Sequence, residues 1–154
     1  MVKPRKIAIH EAAHAVIAME LGVQVQHATI KPDSEFVGQV EHGDATARQG
    51  AMIAMAGPMA AAMYANVEYN LDWAREFDEV WSLLRTLAEE RGIRLDSDDR
   101  SEERLQLHEL HDELACEVRM LLRERLACVD AVAKELVVHR TLSGREIHHV
   151  VRLH

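Results

Sequence analysis

The sequence predicts a mainly α (α+β) fold, because several long stretches place apolar residues at helical spacing and only one short region alternates in the manner of a β-ribbon. A third observation gives that fold a purpose: the first helical stretch contains His10-Glu11-Ala12-Ala13-His14, the His-Glu-x-x-His pattern of zinc hydrolases. With 154 residues, 48% of them hydrophobic, the chain can bury a core of its own. A single domain over residues 1–154 is expected, its metal-site half in 1–95 and a helical part in 101–154.

Pro4 suits the first turn of a helix, where the N–H it lacks would have no partner anyway. The helical pattern runs from about Lys6 to Leu21, and Gly22 can take the left-handed conformation that closes it. Ile7, His10, His14, Ile17 and Leu21 share one stripe, which predicts a buried face carrying both histidines. Residues 23–31 alternate and are rich in β-branched side chains; the turn residues Pro32-Asp33-Ser34 and a second run at 36–42 complete a predicted hairpin.

Residues 46–65 are rich in Ala and Met, with Met52, Met55, Met59 and Met63 on one face of a core helix whose small residues permit close approach to the first. Pro58 either starts a new helix there or kinks a continuous one. Beyond a loop at 66–71, a helix from about Asp72 to Arg91 is closed by Gly92 and offers Trp73, Phe77, Val80, Trp81, Leu84 and Leu87 to the core. The acidic segment 96–103 is a linker or a helix start. Residues 105–138 form one long helical pattern or two helices with a bend, and Thr141-Leu142-Ser143-Gly144 is a turn launching a last helix capped by Thr141 or Ser143.

Composition excludes several functions. A net charge of −8 argues against a general affinity for nucleic acid or an anionic membrane, and 4% aromatic residues provide no stacking platform. The longest apolar run, 51–65, is interrupted by Gly57-Pro58 and falls short of the roughly 20 residues of a membrane span. No signal peptide is evident, so a cytoplasmic location is expected. Cys116 and Cys128 then read as buried or idle thiols. There is no glycine-rich phosphate loop, so ATP binding within the chain is not expected.

The chemistry of the motif follows from its spacing. Residues four apart lie one turn above each other, so His10 and His14 can direct a ring nitrogen at one metal ion. Glu11 projects beside them, placed as a general base for water and not as a ligand. The remaining histidines have blander readings. His108 and His111 sit among Glu109, Asp112 and Glu113 on a solvated face; His148, His149 and His154 are exposed near the C-terminus; His27 and His42 border the hairpin and could line a groove.

The order of these elements resembles the peptidase domain of the FtsH family of membrane-anchored, ATP-dependent zinc metalloproteases. His10-Glu11-Ala12-Ala13-His14-Ala15-Val16 is similar to that family's His-Glu-Ala-Gly-His-Ala-Val, and Ala28-Thr29-Ile30-Lys31-Pro32 with Val37-Gly38 is similar to its strand pair. Ala56-Gly57 resembles its Ala-Gly helix, and Thr141-Leu142-Ser143-Gly144-Arg145-Glu146-Ile147 its closing segment. The resemblance implies Zn2+ as cofactor, an unfolded or extended polypeptide as substrate, and a third ligand from an Asp near the start of the next helix: Asp78, with Asp72 as the alternative. It also implies a homo-oligomer. The family's ATPase and transmembrane parts have no counterpart here, so a free-standing peptidase domain is expected, which a separate ATPase or adaptor could supply with substrate. Ala61 stands where the family carries a Glu, and Ala13 where it carries a Gly. The competing readings are a metal-binding interaction module derived from such a peptidase, and a hydrolase of small amides.

Overall fold

The computed structural model describes residues 4–32, 38–95 and 100–154. Helix α1 (Pro4–Glu20) packs against α2 (Ala47–Ala65) and α5 (Leu126–His139), and touches α4 (Arg100–Glu124) and α6 (Gly144–Arg152) as well. From Ala8 to Ala18 every residue except His10 is buried. This corrects the expectation of one buried stripe: Ala8, Ala12, Ala13, Ala15 and Ala18 present methyl groups on the other faces, so neighbouring elements cover the helix all round. It ends as expected. Gly22 has φ +78°, with Val23 N–H donating to the Ala18 carbonyl and Gly22 N–H to Met19, the bond pair that satisfies the last free carbonyls of a helix.

The hairpin appears as β1 (Val25–Thr29) and β2 (Gln39–His42), antiparallel, with an irregular register between Val25 and His27. The expected turn at Pro32-Asp33-Ser34 and the strand residues Phe36 and Val37 fall at the edge of, or outside, the described residues. The ribbon is in fact three-stranded. Thr141–Ser143, read from sequence as a turn, is β3, pairing antiparallel with β1 to give the order β2-β1-β3. A three-residue strand has no alternation to detect, and long-range pairing makes it: Leu142 lies opposite Ala28, and the Thr29 and Thr141 hydroxyls are 2.8 Å apart. Ser143 then caps α6, accepting from Glu146 N–H while Glu146 reaches back to Ser143 N–H.

Helix α2 begins with the same device at Thr46 and Gln49 and runs unbroken through Pro58. Met52, Met55 and Met59 are fully buried and Met63 partly so. The next helix starts later than expected. Asn70 accepts from Asp72 N–H and folds Leu71–Trp73 into a short 3-10 turn, so α3 spans only Phe77–Glu90, closing at Gly92 as predicted. Val80, Leu84 and Leu87 form its buried stripe; Phe77 and Trp81 are half-buried, and the Trp73 side chain lies outside the description. Residues 96–99 of the acidic segment lie outside it too. The pattern over 105–138 resolves as two helices, α4 and α5, broken at Arg125. The buried apolar residues of all six helices form one cluster with those of β1 and β3. Cys128 is buried and Cys116 exposed, both free. No helix among the described residues is long and apolar enough to cross a membrane.

Candidate metal centre

The two histidines of α1 meet across one turn, with ring centroids 4.7 Å apart and planes at 79°. The side chain between them comes from elsewhere. Glu76, the residue just before α3, places Oε1 2.6 Å from His10 Nε2 and 3.1 Å from His14 Nε2. One donor atom from each of His10, His14 and Glu76 lies within 4.8 Å of the others, and this group can hold a metal ion.

Several observations fit that role. His14 Nδ1 donates to the Ile53 carbonyl of α2 at 2.7 Å, which fixes a proton there and turns Nε2 toward Glu76. Two nitrogens and a carboxylate oxygen are a donor set that suits a catalytic divalent site with open positions. Glu76 Oε2 is buried and has no hydrogen-bond partner among the described residues. Gly57 of α2 makes the approach feasible: a Cβ there would stand 2.4 Å from His14 Nε2 and 2.7 Å from His10 Nε2. Only a residue without a side chain lets α2 pass the imidazoles this closely.

The electrostatics bind the group together. Burial alone would lower the His14 pKa, but the hydrogen bond to Glu76 and the charges of Glu11 and Glu76 prevail and raise it above 6.5. Burial would raise the Glu76 pKa, yet hydrogen bonds from His10 and His14 hold it well below the usual carboxylate range. Glu11, 1% exposed, lies beside the group with Oε1 at 3.0 Å from Arg75 Nη2 and Oε2 buried without a hydrogen-bond partner among the described residues. The same Arg75 nitrogen is 3.2 Å from Glu76 Oε1, and its Nη1 donates to the Gly38 carbonyl at 2.8 Å. Gly38 in turn leaves room for Glu11: a Cβ would meet Glu11 Cγ and Oε1 at 2.8 Å.

A cleft of about 220 Å3 opens from His14 and Glu76, walled by Val40 and His42 of the edge strand β2 and by Ile53 and Ala54 of α2. His42 thus lines a groove, while His27 faces Glu41 at 3.5 Å.

No protein-family model and no curated protein matches this chain.

Of the residues singled out from sequence, His10, Glu11 and His14 come together. Asp78 and Asp72 do not join the group: both side chains are exposed, Asp78 in the first turn of α3 and Asp72 in the 3-10 turn. The carboxylate found there is Glu76, between them. Glu is as competent a ligand as Asp, and extending the candidates to both types over 72–78 would have included it. Arg75 was also missed, for a lone Arg ahead of a helix carries no sequence signal. His111 departs from the solvated face expected of it: half-buried, it stacks on Tyr69 and receives or gives a 3.2 Å hydrogen bond at its hydroxyl, while His108 packs edge-on against Trp81 with centroids 4.9 Å apart.

Proposed function

We propose that this chain is a zinc metallopeptidase that hydrolyses unfolded or extended polypeptides, with His10, His14 and Glu76 as ligands and Glu11 as general base. The observation that carries the reading is Glu11 itself. A carboxylate 1% exposed, one oxygen held by Arg75 and the other without a partner among the described residues, is costly to bury and serves no purpose in a site that holds metal only for structure.

An ion held by His10, His14 and Glu76 would supply Lewis acidity at this site. Glu11 would take a proton from an attacking water at Oε2 and pass it to the leaving amide nitrogen, so base and acid would be the same carboxylate in successive steps. The Ile53 carbonyl keeps His14 in the ligating tautomer.

The substrate class rests on β2. Among the described residues it is an edge strand paired only with β1, so its other side offers backbone groups to an extended peptide, and Val40 and His42 wall the cleft beside the ligands. The resemblance to the FtsH peptidase domain supports the same reading in physical terms: two of its residues, Gly38 and Gly57, are those whose missing side chains admit Glu11 and the two imidazoles. The test is cleavage of a permanently unfolded protein such as reduced casein. Activity lost to a chelator and restored by zinc supports the proposal; no cleavage with any divalent ion leaves the metal-binding interaction module as the better account.

A further inference from the structure

We infer that Arg75 is a positioning residue of this site, holding base and ligand carboxylates in register with the start of the edge strand; the inference rests on the peptidase reading above. Its guanidinium joins three separate segments. Nη2 lies 3.0 Å from Glu11 Oε1 on α1 and 3.2 Å from Glu76 Oε1 ahead of α3, and Nη1 donates at 2.8 Å to the Gly38 carbonyl, next to β2.

Each contact has a consequence. Rotation of a carboxylate about its last bond is soft, so a buried base with one anchored oxygen points the other in a fixed direction, whereas an unanchored one does not. Arg75 is the only hydrogen-bond partner of the Glu11 carboxylate among the described residues. Glu76 Oε1 forms an ion pair with Arg75 Nη2 at 3.2 Å, a charge placed to hold a ligating carboxylate in position from outside the ligand set. Through Gly38, the same fork sets the position of the strand on which a peptide would lie relative to the base that acts on it. A planar, multiply donating guanidinium can do all three at once; an ammonium cannot. The groups that Arg75 contacts are the Glu11 and Glu76 carboxylates and the Gly38 carbonyl, and its effect passes through them.

The test compares the natural chain with Arg75→Ala and Arg75→Lys, each loaded with zinc, by peptide hydrolysis and by calorimetric zinc titration. Arg75→Ala should lose about 100-fold in kcat with KM within about twofold, and bind zinc about tenfold more weakly. Millimolar guanidinium ion should restore much of the kcat, and should restore none when Glu11→Gln is added. Arg75→Lys, which keeps the charge and tests the role if Arg75→Ala does not fold, should recover only a minor part. Full activity in Arg75→Lys, or an Arg75→Ala loss that guanidinium does not reverse, overturns the inference while leaving an active natural enzyme in place. A natural chain that neither binds zinc nor cleaves overturns the proposed function first and this inference with it.

Discussion

Gly57→Ala inverts the usual effect of its kind. A Gly in the middle of a helix costs about 1 kcal/mol relative to Ala, so on helix propensity alone the substitution in α2 should stabilise the protein. The new methyl would stand 2.4 Å from His14 Nε2, 2.5 Å from His14 Cε1 and 2.7 Å from His10 Nε2, where ordinary contact begins at 3.4 Å. His14 cannot swing away freely, since Nδ1 is bonded to the Ile53 carbonyl at 2.7 Å in a buried setting. Breaking that bond costs about 1 to 3 kcal/mol, and overpacking a filled interior about the same. The steric terms therefore outweigh the propensity gain, for a net loss of about 1 to 5 kcal/mol, or roughly 2 to 20 °C in Tm for a chain of this size. Zinc affinity should fall at least about tenfold, because both ligating nitrogens are displaced. Thermal unfolding of the metal-free chain and calorimetric zinc titration read the two effects separately. A Gly57→Ala protein that melts higher than the natural one and binds zinc as tightly would refute the placement of α2 against the imidazoles.

Other substitutions and conditions follow from the same geometry. Glu76→Gln should weaken metal binding by more than the 10- to 100-fold typical of an outer-shell change, while Asp78→Asn and Asp72→Asn leave it unchanged; the reverse pattern in a zinc titration would return the third ligand to an Asp. Ser143→Ala removes the side-chain half of the α6 capping box and should cost about 1 kcal/mol by denaturant unfolding, with metal binding untouched. The stability of the metal-free chain should depend on pH from both sides. Glu76, whose pKa is depressed, contributes stability that is present above its ordinary 4.5 and lost as pH falls below it. His14, whose pKa is raised, contributes stability that is full below 6.5 and lost as pH rises through its elevated value. Chemical denaturation at pH 3.5, 6 and 9 should give a maximum near the middle, and Glu76→Gln should flatten the curve.

What the sequence made legible is what local spacing can encode. His10, Glu11 and His14 share one helix turn, so their convergence needs no knowledge of the rest of the chain. The helix ends at Gly22 and Gly92 were readable because a left-handed residue leaves a residue-type signature. The third member of the candidate metal group was not, since Glu76 reaches His14 across 62 positions and sits at a junction that Asn70 shifts by folding the preceding 3-10 turn. β3 escaped for the same reason: three residues make a strand only because Thr29 and Ala28 lie opposite them. Alanine conceals burial too. The periodicity of α1 rests on its large residues, yet its alanines are buried as completely as Ile17.

Zinc content and hydrolysis of an unfolded protein, measured on the natural chain and on Glu11→Gln, bear most directly on the claim that this is an enzyme. Gln keeps the shape of Glu11 and its contact with Arg75 but cannot take a proton. The account predicts about one zinc per chain in both proteins, with three ligands unchanged, and cleavage by the natural chain alone. Equal cleavage by both, or zinc in both with cleavage by neither, would contradict it.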